Sequence, residues 1–221
     1  MRKSLTCLNP ARCLVLLLGL LVAPTVADAA PITFTFTGTV TQVDPDIPFD
    51  EPIEFGTPFT GSYVFESTTA DGDASANGGS YTSVGGSLTL TIGGQTFLAA
   101  DFLNISVGND FSGSDFYTVF AQSTGGLDVF DISLLLQDLN GTVFGSALLP
   151  IDAPPFSAFE VATLALTGMV ADNQVEILGQ LTSLVCTEGC GNTPPPVPEP
   201  TTLLLLSTAL ATMRLRSRHR A

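Results

Sequence analysis

Residues 32–40 read ITFTFTGTV. Ile32, Phe34 and Phe36 alternate with Thr33, Thr35, Thr37 and, one step further, Thr39. A period of two belongs to a strand with one buried face, because successive side chains leave a pleated backbone on opposite sides. Threonine's branched Cβ suits the wet side of such a strand.

The same pattern recurs downstream. SLTLTIGG points Leu88, Leu90 and Ile92 inward, and DVFDISLLLQ does so for Phe130, Ile132, Leu134 and Leu136. FTGSYVFE, FLNISVG, DFYTVFAQ, FEVATLALTG and VEILGQLTSLV read as further strands, separated by Gly, Asn, Asp and Pro clusters such as DGDASANGG, GNDFSGSD and LNGT. No part of this body keeps a helical period. About nine or ten short strands at this spacing predict an all-β, antiparallel β-sandwich, jelly-roll-like in arrangement, with a barrel as the alternative. Strand order stays open.

Charge divides the chain into parts. The basic residues are Arg2, Lys3, Arg12, Arg214, Arg216, Arg218 and Arg220, and the single histidine is His219. All of the chain's 21 acidic residues except Asp28 and Glu199 lie between residues 30 and 197. The body is therefore a polyanion. Without Lys or Arg to neutralise phosphates it is not a nucleic-acid binder. Its self-repulsion would be relieved by divalent cations.

At the N-terminus a basic start, an apolar core over residues 14–23 and the small-residue site Ala27-Asp28-Ala29 form an export signal. Cleavage is expected after Ala29, since cutting one residue later would set Pro31 against the scissile bond. An uncleaved signal anchor is the alternative. Residues 1–29 are thus read as signal peptide and 30–190 as the ectodomain. Within it, Cys186 and Cys190 either form a local disulfide, which export permits, or remain thiols. With no histidine and no second cysteine pair, a structural zinc site is excluded.

Residues 191–200, GNTPPPVPEP, form a Pro-rich linker. An apolar segment over 201–213 and the Arg-rich tail of 214–221 follow. Val197-Pro198-Glu199-Pro200, the hydrophobic stretch and the tail arginines Arg214, Arg216, Arg218 and Arg220 stand in the order of the PEP-CTERM sorting signal of exported bacterial proteins, which this end resembles. The resemblance implies recognition of Glu199 and its prolines by an exosortase, a membrane transpeptidase-like processing protease. It also implies transient anchoring in the membrane and delivery to the cell surface or the extracellular matrix, where exopolysaccharide is a partner to expect. Phrases such as ITFTFTGTVTQVDPD and PFTGSYVFESTTADGD are similar to strand-and-loop phrases of other ectodomains of this kind and carry no activity with them.

Physics agrees with a removable anchor. Basic residues hold the cytoplasmic side of a membrane segment. Thirteen helical residues rise about 20 Å, short of the roughly 30 Å bilayer core. A permanently tail-anchored end is the alternative.

Chemistry in the body is sparse. With no His, Lys or Arg, neither a Ser-His-Asp triad nor a Ser-Lys pair can form, and no phosphate-cradling lysine loop is present. A carboxylate pair is the one catalytic device left, and the expectation is that the protein is not an enzyme. The chain has no tryptophan and three tyrosines, Tyr63, Tyr81 and Tyr117, to stack on a sugar, and its 15 phenylalanines fall mostly at inward positions. Asp71, Asp73, Ser75 and Asn77 place oxygens at alternate positions before Gly78. From Asp73 onward this follows the first half of a calcium loop, although Val84 stands where the bidentate acid belongs. A solvated hairpin loop accounts for the same residues. Function is therefore expected to be structural or adhesive, with a calcium-dependent glycan-binding module as the alternative.

Overall fold

The computed structural model describes residues 31–44, 52–83, 85–124, 129–170 and 173–191. These form ten antiparallel strands: β1 (Pro31–Val43), β2 (Pro58–Glu66), β3 (Gly78–Thr82), β4 (Ser87–Ile92), β5 (Gln95–Ala99), β6 (Phe102–Phe111), β7 (Ser114–Ser123), β8 (Val129–Asp138), β9 (Val161–Val170) and β10 (Asn173–Glu188). The only helix among the described residues is a 3-10 turn at Phe156–Ala158. The all-β antiparallel reading holds.

Every inward position named from the alternation is buried. Ile32, Phe34 and Phe36, the β4 trio and the four β8 residues are at most 5 % exposed. Removing one such side chain from water contributes about 1.5–3 kcal/mol.

All ten strands belong to one sheet, in the order β3-β6-β7-β8-β9-β10-β1-β2-β4-β5. This is where the architecture departs from the expected pair of jelly-roll sheets: one continuous sheet curls and faces itself. β10 links the two halves: Asn173–Gln180 pair with β9 and Ile177–Glu188 with β1, residues 177–180 pairing on both sides, and the β1 pairing shifts register three times. Such bulges add local twist and bend a strand. A Cβ on Gly38 would lie 2.2 Å from Phe59 Cζ and 2.3 Å from the Gln180 carbonyl oxygen, so this point of the β1–β10 pairing has room only for glycine.

Contacts across the interior join the two halves. Phe97 of β5 meets Phe130 of β8 edge to face, with ring centroids 5.7 Å apart. The hydroxyls of Tyr63 on β2 and Tyr117 on β7 are 2.9 Å apart. The two strands not foreseen individually, β3 and β5, are the shortest at five residues each and form the sheet's two edges.

Candidate functional site

Three loops are tied together at one end of the body: the loop before β3, the β6–β7 hairpin, and the long connection over residues 139–160. Buried carboxylates organise them. Asp115 and Asp138 face each other as cross-strand partners on β7 and β8, and both are fully enclosed. Like charges directly opposite destabilise a strand pair, so each needs compensating donors. Asp115 accepts the Asp110 amide at 2.7 Å on Oδ1 and the Phe144 amide at 2.6 Å on Oδ2. Asp138 accepts the Asn140 amide at 2.8 Å, the Thr142 amide at 2.6 Å and the Thr142 hydroxyl at 3.0 Å. The backbone amides of Thr142 and Asn140 hold the Asp138 carboxyl down at about 2.

Asp115 also fixes the β6–β7 hairpin. Asp110 sits in the left-handed region (φ 51°) at a register shift, and the turn itself, Ser112-Gly113, has two positive φ values. That is the backbone of a tight primed turn, matched to strand twist. Glu160 secures the far end of the long connection, accepting the Leu139 amide and the Asn140 side-chain amide.

Neither Asp115 nor Asp138 was singled out from sequence. The signal was present. Extending the inward series Phe130, Ile132, Leu134 and Leu136 by one step reaches Asp138, and Asp115 precedes the inward Tyr117 by two.

The four candidate calcium ligands build a chain of local turns. Asp71 Oδ1 accepts the amides of Asp73 and Ser80, both at 2.9 Å; Asp73 Oδ1 accepts the Ser75 amide at 2.8 Å; Ser75 Oγ accepts the Asn77 amide at 3.3 Å. Asn77 reaches the β6–β7 hairpin through its side-chain amide, 3.5 Å from the Asp110 carbonyl. The alternate spacing thus has a backbone explanation: an Asx or Ser side chain caps the amide two residues on. Bonds from the Ser80 and Asp73 amides lower the Asp71 carboxyl. Among the described residues no three His, Cys, Asp or Glu side chains are grouped to hold a metal ion.

Cys186, in β10, and Cys190 are joined in a disulfide with Cα atoms 5.9 Å apart. The sorting motif Val197-Pro198-Glu199-Pro200, the segment 201–213 and the tail arginines lie outside the described residues, as does the signal peptide. Among the described residues no helix is long and apolar enough to cross a membrane.

All three tyrosines are buried, each at an inward strand position, so none of them presents an exposed ring. The aromatic surface lies elsewhere, outside β6 and β7, where Phe102 packs on Phe120 and Phe111 on Phe116 with centroids 6.0 and 5.7 Å apart. Across β1, β2 and β4 the outer face is hydroxylated instead. Thr35, Thr37, Thr60, Ser62, Thr89 and Thr91 line an open groove of about 340 Å³ that no charged residue borders. No family model, curated protein or solved structure matches the chain.

Proposed function

We propose that this chain is an exported bacterial surface protein, sorted by an exosortase through its PEP-CTERM-like end, that acts as a non-catalytic structural or adhesive component of the extracellular matrix. The observation that carries the reading is the segregation of charge. Every basic residue lies in a terminal segment with the layout of a leader or a sorting tail, and the body between them has none. Such a body lacks the His and Lys bases that most often activate a nucleophile, leaving only carboxylates. Its buried carboxylates serve as loop anchors, bonded to backbone amides at distances of 2.6–2.8 Å.

Under this reading the signal peptide ends at Ala29, and residues 201–213 stop the chain in the membrane until the exosortase acts at Pro198-Glu199-Pro200. The disulfide fits an oxidising destination. Adhesion would use the uncharged hydroxyl groove and the outer phenylalanines, since the remaining surface repels acidic matrix polymers. Intact mass of the protein isolated from the cells that make it tests the proposal. A species beginning at Ala30 and ending near the Pro-Glu-Pro triplet supports it. A species that keeps the arginine tail overturns the sorting account.

A further inference from the structure

The two edges of the sheet are finished differently. At one edge lies β3. Its middle residue, Ser80, turns backbone groups away from β6, and the preceding loop takes both: the Ser80 amide donates to Asp71 Oδ1 at 2.9 Å, and the Ser80 carbonyl accepts the Gly72 amide at 2.8 Å. A loop laid along an edge strand stops a further strand from adding there.

β5, at the other edge, has no such cover among the described residues. It forms a hairpin with β4 through Gly93-Gly94, whose φ values are 55° and 81°. In a two-residue turn of this kind the flanking pair, Ile92 and Gln95, is hydrogen-bonded, and such pairs alternate with non-bonded ones along an antiparallel ladder. Leu90↔Phe97 and Leu88↔Ala99 are therefore the next bonded pairs, and Thr96 and Leu98 point their amides and carbonyls away from β4. Neither backbone has a hydrogen-bond partner among the described residues. The usual deterrents to strand addition are also missing. QTFLA has no charge and no proline, and its pairing with β4 has no bulge. Both side chains are exposed, Leu98 at 55 %.

Charge indicates what fits this edge. The chain carries a formal net charge of −14 and has no basic residue between positions 30 and 213, so two copies repel each other over most of their surface. The β4–β5 hairpin, residues 87–99, holds no charged residue at all. Here two copies can approach without that repulsion.

We propose that β5 is a homodimer seam, at which β5 of one copy adds antiparallel to β5 of a second. A twofold axis at Phe97 sets Thr96 opposite Leu98 of the second copy, and Leu98 opposite its Thr96. Each of these pairs exchanges both of its N–H···O=C bonds. Because the β3 edge is capped, growth stops at the dimer: the contact is isologous and closes on itself. The axis runs normal to the sheet, so the hydroxylated outer faces of both copies lie on the same side and form one wider, bivalent surface.

The test reads oligomeric state together with the two amides. Wild type and variants, isolated from the cells that make the protein, are sedimented over a concentration series in moderate salt, which screens the self-repulsion. Wild type should pass from the mass of one chain to that of two and no further. Hydrogen exchange at the Thr96 and Leu98 amides should slow as the dimer forms. Leu98→Pro removes an N–H that β4 does not use, a change edge strands accept. It should keep a cooperative melt and weaken dimerisation by about tenfold to a hundredfold, through one lost bond per copy. Leu98→Glu, which adds an acid at the seam, should weaken it as well and gives the reading if the proline variant does not fold. A wild type that stays a single chain at every concentration would overturn the proposal, and so would assembly beyond two chains. A dimer that both folded variants leave intact, with the two amides still exchanging fast, would also overturn it and would place the contact at the terminal segments or the outer faces.

Discussion

Tyr63 and Tyr117 meet hydroxyl to hydroxyl at 2.9 Å in the interior, one from each half of the curled sheet and 54 residues apart in sequence. Both are enclosed by the aromatic and aliphatic core, and Tyr63 packs against Phe34 and Phe65 as well. The bond is a polar rivet between two layers that otherwise meet through apolar side chains. Its energetics follow from satisfaction: while both hydroxyls are present, each has its partner.

Replacing either tyrosine alone should therefore hurt more than replacing both. Tyr63→Phe or Tyr117→Phe leaves the other hydroxyl buried and unpaired, costing about 1–3 kcal/mol, whereas the double variant should recover much of that loss. Urea midpoints for the four proteins measure the coupling. Strictly additive single effects would show that the contact contributes nothing beyond packing.

Alkaline titration gives a second test. Burial raises the ionisation of Tyr63 and Tyr117 far above the ordinary phenol, and burial followed by the Asp71 carboxylate raises Tyr81. The folded state holds these protons while the unfolded chain releases them near pH 10. Stability from this source is thus intact below about pH 10 and declines above it. Phenolate absorbance should appear only with unfolding, in one cooperative step. A tyrosine titrating in the native protein near pH 10 would contradict this burial.

Asp138 makes the opposite prediction at acid pH. Its carboxyl is lowered from 3.8 to about 2 by the Thr142 and Asn140 amides. A depressed acid contributes stability above its unfolded value and loses it as pH falls toward its folded one. Asp138→Asn should be less stable than wild type at neutral pH, with the gap closing between about pH 4 and 2. Parallel stability curves across that window would mean that the charge on Asp138 is not what holds the 139–160 connection.

Glycines beneath aromatic rings should resist substitution. A Cβ at Gly61 would lie 2.2 Å from Phe36 Cζ and 2.6 Å from the Thr89 carbonyl oxygen, with strand backbone on one side and a core ring on the other. Gly61→Ala should cost about 1–3 kcal/mol through overpacking. Gly145→Ala, where nothing lies within 4 Å, is the control and should stay within about 0.5 kcal/mol of wild type. Thermal melts of the two decide the matter.

For the loop of Asp71, Asp73, Ser75 and Asn77, the turn geometry predicts a calcium-independent role. Asp71→Ala should lower the melting midpoint by the same amount in chelator and in millimolar calcium, because it removes caps on the Asp73 and Ser80 amides. Binding to the native state would raise the midpoint through RT ln(1 + [L]/Kd). A calcium-dependent rise in wild type that Asp71→Ala abolishes would restore the metal reading.

Much of this protein was readable from residue order. Alternation in ITFTFTGTV and its later counterparts predicted the strands and their inward faces, because a period of two is a local property of a pleated backbone. The segregation of charge was equally plain. Short edge strands were harder: GGSYT and QTFLA are too brief and too glycine- or loop-flanked to show a period. What only the tertiary structure decided is pairing. That β10 spans both layers, that Tyr63 finds Tyr117, that Asp115 opposes Asp138 and that Glu66 stands across from Pro31 all depend on contacts between distant segments. Alternation determines which face a side chain takes, but the partner strand is selected by register, bulges and the closing of the core.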